Sequence, residues 1–179
     1  MIFLVRHGEA AAGWGDHPDP GLSDLGQRQA DAVAAHLKAA GARAAIKSPM
    51  RRCQETAAAF EQLMGIEAPV EPRVSEIETP LGLGDRAAWL KSVMAGRWDE
   101  AGHDFTPWRQ AALDAVSALP DGSVVFSHFI AINAIAGLLE GREEVIVFRP
   151  GHCSVTRLER SGDRLKVAEW GSEAATRVL

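Results

Sequence analysis

Ile2 to Val5 is apolar at every position and rich in β-branched residues, so it cannot alternate between a wet face and a dry one. A strand of that kind belongs in the middle of a sheet covered on both sides. Ser123 to Phe126 has the same character and predicts a second buried strand. Each run stops at a histidine: the first runs into Arg6-His7-Gly8-Glu9, the second into Ser127-His128. Both histidines are expected to be exposed at strand ends.

Between these runs the pattern switches to helical period. Ser23 is a suitable N-cap for a helix reaching about Ala40 and stopped at Gly41, with Ala30, Val33, Ala34 and Leu37 on one face. Ala44 to Lys47 reads as a short strand, and Ser48-Pro49 opens a helix from about Arg51 to Met64, ended by Gly65. Pro69, Pro72 and the stretch Val70 to Ile77 predict an extended segment leading into a loop at Thr79 to Gly84. Helices are predicted over Asp85 to about Ala95, over Thr106 to Leu119 with Thr106 as N-cap, and from about Ala131 to Leu139 before Gly141. Val145 to Phe148, Val155 to Glu159 and Leu165 to Trp170 read as strands, the last two joined at Ser161-Gly162-Asp163. Strands alternating with helices imply a three-layer α/β/α sandwich around a mostly parallel sheet. Such sheets bind ligands at the carboxyl ends of their strands. The 179 residues fit one domain, with a cap-like insertion around 79–107 holding Trp89, Trp98 and Trp108, which are expected in the core.

Charge narrows the partners. Lys and Arg number 19 against 24 Asp and Glu, a net of −5, the wrong sign for a surface that grips nucleic acid or anionic lipid. Any anion site must be local. No tyrosine is present, which removes that residue as nucleophile or acid. Cys53 and Cys153 make no CxxC pair, and no apolar run is long enough for a membrane span or resembles a signal peptide; the expectation is a cytoplasmic protein. His152 beside Cys153 finds no further ligand at metal spacing. No metal or other cofactor is expected. His36 is expected to be solvated, and His17 and His103 are loop residues that could line an entrance.

Three segments can carry chemistry. Arg6-His7-Gly8-Glu9 ends the first strand, Ser48 to Ala57 places Ser48, Arg51 and Arg52 at a helix start, and Ser127-His128 ends another strand. Helix starts offer free amide donors, and arginines there build an anion site; of the two, Arg51 is expected to lie on the surface. Two histidines and two arginines on one sheet edge suit a phosphate pocket, because an imidazole nitrogen can attack phosphorus while guanidinium forks neutralise the equatorial oxygens. A leaving alkoxide needs a proton, for which Glu76 in Val74-Ser75-Glu76-Ile77-Glu78 is the best-placed carboxylic acid; Glu78 and Asp85 are the alternatives.

Taken in order, Arg6 to Glu9, Leu22 to Ala30, Ser48 to Ala57, Val74 to Glu78 and Ser127-His128 resemble the landmarks of the histidine phosphatase superfamily, the phosphoglycerate mutase-like proteins, in its first branch. The resemblance implies that fold, a phosphohistidine intermediate on His7, a phosphoryl group held by Arg6, His7, Arg52 and His128, and Glu76 as proton donor. Its partner would be a small phosphorylated substrate or a phosphoprotein. Glu9, Ser48 and Phe129 are possible substrate contacts. Phe129 stands where the family commonly has glycine and is expected at the pocket rim. Ala10 to Gly15 holds no asparagine, and Thr79-Pro80 replaces a common Phe-Gly pair. The short chain favours hydrolysis over the mutase reaction, with a catalytically silent phosphate-binding module as the reading from another class.

Overall fold

The computed structural model describes residues 1–12, 18–80, 82, 84–162 and 164–174. Five strands form one sheet, in the order β2, β3, β1, β4, β5: β1 (Ile2–Arg6), β2 (Ala44–Lys47), β3 (Ser123–Ser127), β4 (Val155–Ser161) and β5 (Arg164–Glu169). β1 and β2 each pair in parallel with β3, whereas β4 runs antiparallel to both β1 and β5. The sheet is therefore mixed, with four strands pointing one way and β4 the other.

Full burial of β1 and β3 follows from helices on both faces. α1 (Asp24–Ala39) and α2 (Arg51–Met64) cover one face, where Val33, Leu37, Ala57 and Phe60 pack on Phe3, Val5, Val124 and Phe126. α4 (Thr106–Ser117) and α5 (Phe129–Glu140) cover the other, where Ala112, Val116, Ile132 and Ile135 meet Ile2, Leu4 and Val125. Burying a side chain such as Phe60 or Ile135 stabilises the fold by about 1.5–3 kcal/mol. A third cluster joins the start of α5 to α3 (Arg86–Ala95) and to the short helix Trp98–Glu100, through Phe129, Ile130, Leu90, Val93 and Trp98. α3 and the short helix after it thus lie against the start of α5 through Leu90, Val93 and Trp98. Among the described residues no helix is long and apolar enough to cross a membrane.

Local signals act as the residue types dictate. Ser23 Oγ accepts the Gly26 amide and caps α1, and Gly141 takes a left-handed φ of 65° that closes α5. Two expectations are corrected. Thr106 is the first residue of α4 rather than its cap, because the Asp104 carboxylate accepts its amide at 2.9 Å. Val145 to Phe148 is not a strand. Its amides find other partners: Val145 N donates to Gly96 O at 3.1 Å, and buried Asn133 of α5 accepts Val147 N at 2.8 Å and Phe148 N at 3.0 Å, so these groups need no strand partner.

Candidate active site

The carboxyl ends of β1 and β3 lie side by side, with Arg6 paired to Ser127, so His7 and His128 leave neighbouring strands together. Their rings stand edge to face with centroids 5.3 Å apart. Neither is exposed, contrary to expectation: His7 is 5% and His128 0% accessible, because the first turn of α2, the start of α5 and the 150–154 segment close over the strand ends.

Arg52, from the first turn of α2, bridges the two rings. Its Nε donates to His7 Nε2 at 3.1 Å, and its Nη2 lies 3.1 Å from His128 Nδ1. A guanidinium only donates, so both contacted ring nitrogens are acceptors and both protons sit on the opposite sides. His7 Nδ1–H donates to the Gly8 carbonyl at 2.7 Å, and His128 Nε2–H to Ser48 Oγ at 2.7 Å. Each imidazole is thereby fixed in one neutral tautomer, with the lone pair of His7 Nε2 directed at the cation. Burial, then Arg52 and Arg6, hold the His7 pKa well below the ordinary histidine value. Burial, His7 and the same arginines do so for His128.

Arg6 is the second buried cation. Its Nη1 donates to Pro150 O at 2.9 Å, its Nη2 lies 3.0 Å from His152 Nε2, and its Nε is buried without a hydrogen-bond partner. The guanidinium lies over the Phe129 ring at 5.1 Å. Phe129 is therefore not at the rim. It is 1% accessible and forms the floor under Arg6. Burial lowers the Arg6 pKa to about 10, which leaves it charged at neutral pH.

Glu76 is fully enclosed where α5 begins. Its oxygens accept the amides of Ile77 at 3.1 Å, Ile130 at 3.2 Å and Ala131 at 3.1 Å. Burial raises its pKa, against the lowering by those amides and Arg52. Glu78 and Asp85 are exposed, and the Asp85 carboxylate accepts the Ala88 amide at the start of α3. Ser48 contacts His128 rather than capping α2, whose N-cap is Met50. Glu9 is half-buried at the other side, where its carboxylate accepts the Ser23 hydroxyl at 2.7 Å. Arg51 faces solvent and pairs with Glu55.

Several contacts escape sequence reasoning. Thr56 Oγ1 donates to Arg52 O at 2.6 Å and accepts the Gly8 amide at 3.0 Å, tying the loop after β1 to α2. Its spacing of four from Arg52 on one helix is the signal that could have found it. The Cys53 thiol lies 3.3 Å from His128 Nε2, and burial pushes its pKa up strongly. Asp19 stands 3.8 Å from Arg52 Nη1. His103 packs against Phe105 on the surface, beside a cavity of about 410 Å³ that none of the pocket side chains lines, and His17 lies outside the described residues. Among the described residues no group of His, Cys, Asp or Glu is placed to hold a metal ion.

The Leu22 to Ala30 segment takes part through its backbone. A methyl at Gly26 would stand 2.1 Å from the Glu9 carbonyl, and one at Gly8 2.7 Å from the Gly26 carbonyl. Only glycine allows α1 to support the loop that carries His7. Gly26→Ala is expected to push that loop aside and lower kcat/KM about 100-fold, since a displacement near 1 Å in a reacting group costs that much. Steady-state kinetics beside an unfolding curve checks it.

The sequence profile of the histidine phosphatase superfamily (branch 1) matches residues 2–173. A protein described as a probable phosphoglycerate mutase, GpmB of Proteus mirabilis, is 29% identical over 204 aligned residues that cover 98% of this chain and 92% of that protein. The mycobacterial glucosyl-3-phosphoglycerate phosphatase, solved with VO3, superimposes with a TM-score of 0.76 at 20% identity, covering 96% of this chain and 99% of that one. A phosphoserine phosphatase mutant of Entamoeba histolytica, solved with phosphoserine, gives 0.75 at 20% identity, with 96% of each chain covered.

Proposed function

The chain belongs to the histidine phosphatase superfamily, branch 1, and on that premise we propose that it hydrolyses phosphomonoesters without a metal, through a phosphohistidine on His7. The observation that carries this reading is the unprotonated His7 Nε2, 3.1 Å from Arg52 Nε and in one pocket with the buried cation Arg6. A dianionic phosphoryl group satisfies both guanidiniums and brings its phosphorus to that lone pair. His7 Nε2 attacks phosphorus and the bond to the leaving oxygen breaks. The Glu76 carboxyl gives that oxygen its proton, releasing the alcohol. Water then attacks the phosphorus of phosphohistidine, its proton passes to the Glu76 carboxylate, and the P–N bond breaks to release phosphate. Arg6, Arg52 and His128 hold the charge throughout.

The substrate is a small phosphomonoester or a phosphoprotein, and we read 1–179 as one domain with 79–107 as its cap. A cytoplasmic setting agrees with Cys53 and Cys153 being free thiols. The test is hydrolysis of p-nitrophenyl phosphate in excess EDTA, with acid-labile versus base-stable label on the protein after rapid quench as the sign of phosphohistidine. The likeness to probable phosphoglycerate mutases favours a second reading, in which the phosphoryl group returns to another hydroxyl. Supplied with 3-phosphoglycerate, a mutase gives 2-phosphoglycerate before free phosphate, and a phosphatase gives free phosphate alone. A silent binder is stabilised by phosphate and turns nothing over.

The pH dependence has a defined sign. His7 must be unprotonated, and its depressed pKa keeps it so well below the ordinary histidine value; Glu76 must be protonated, and its raised pKa extends that form upward from the carboxylate range. With alkyl phosphates kcat is expected to peak on the acid side of neutrality and fall as pH rises. A kcat profile peaking on the alkaline side would exclude this pairing of acid and base.

A further inference from the structure

We infer that His152 is a positioning residue for the phosphate-binding guanidinium of Arg6, a neutral acceptor that orients the fork without offsetting its charge. The inference rests on the phosphatase reading above. Residues 150–154 reach the end of β1 through both backbone and side chains: Cys153 N donates to Arg6 O at 3.0 Å, Arg6 N donates to Ser154 O at 3.3 Å, and Arg6 Nη1 donates to Pro150 O. Cys153 has a φ of 54°, the left-handed region that a side chain rarely takes, and it is alone in this among the described non-glycine residues. That bend accompanies the placement of the His152 ring, which lies 5.9 Å from the His7 ring with Nε2 3.0 Å from Arg6 Nη2.

Because guanidinium nitrogens only donate, His152 Nε2 is the acceptor and the imidazole is neutral. Burial, and secondarily Arg6, lower its pKa to about 4, against the opposing pull of Glu9, which agrees with that form. The fork is then held at three places, by Pro150 O on Nη1, His152 on Nη2 and the Phe129 ring on its face, while Nε keeps an unused N–H. A carboxylate at position 152 would grip Arg6 more firmly. It would also cancel the charge that a phosphoryl group needs. A neutral acceptor gives orientation and leaves the full charge for substrate.

The charge argument sets the test. His152→Gln, whose amide oxygen can replace Nε2, is expected to keep kcat/KM for p-nitrophenyl phosphate and orthovanadate inhibition within about threefold of native. His152→Ala is expected to lose about tenfold in both, and His152→Glu more than the alanine variant despite its stronger hold on Arg6. If His152 only braced the turn, the glutamate variant would match or exceed the alanine one. That order, a glutamine variant no better than alanine, or an alanine variant within twofold of native would overturn the inference. If the native protein turns nothing over, the phosphatase reading fails separately. Calorimetric titration with inorganic phosphate then supports the role of His152 if it gives the same order among the variants, and equal affinities overturn it.

Discussion

Replacing His7 with alanine is expected to lower kcat for p-nitrophenyl phosphate, in excess EDTA, by on the order of 10⁴-fold or more, the scale on which enzymes lose activity with their nucleophile. The covalent label should vanish with it. Loss of activity should not be loss of fold. The native state holds His7 neutral below its ordinary pKa, whereas the unfolded chain protonates it, so this residue costs stability as pH falls below that ordinary value. His7→Ala should therefore unfold no more readily than native in acid, as urea titrations at pH 5 and 7 would read. Full activity in the alanine variant would remove His7 from the mechanism.

Glu76→Gln carries the second large effect. On an alkyl phosphate kcat is expected to fall by on the order of 10²–10⁴-fold, the contribution of a positioned general acid. With p-nitrophenyl phosphate the loss should be smaller, because p-nitrophenolate departs without a proton. That difference separates acid catalysis from structure, which matters here because the carboxylate also receives three backbone amides and the glutamine NH2 would face donors. Equal losses on both substrates would make Glu76 a support for the start of α5. Glu78→Gln, at an exposed position, is expected to change neither rate by more than about twofold.

The sandwich was legible because burial leaves its mark residue by residue. Ile2 to Val5 and Ser123 to Phe126 have no polar position to turn outward, and the faces of α1 and α2 repeat at helical period. The misread Val145 to Phe148 is apolar and buried in part, as a strand would be, but the amides of Val147 and Phe148 end on Asn133, a polar residue in an apolar helix that no periodicity links to them. Arg6, His7, Arg52 and His128 could be found since each lies at or just past the end of a strand or in the first turn of a helix. Their burial could not, because what encloses them comes from elsewhere in the chain. His152 was the least legible: it lies 146 positions from Arg6, follows no buried strand, and gains its place from a left-handed bend at Cys153.

The strand order also sets a timetable. β1 is made first, yet both of its neighbours, β3 and β4, come from the last third of the chain, and Arg6 waits for a carbonyl 144 positions away. Synthesis at about 5–20 residues per second leaves the oldest strand without partners for several seconds, while α1, β2 and α2 can begin to associate only on their own apolar face. Contacts of such long sequence separation place this chain among the slower folders of its size. Recovery of phosphatase activity during refolding should consequently lag behind the return of helical circular dichroism, since the pocket closes only when the central ladder does.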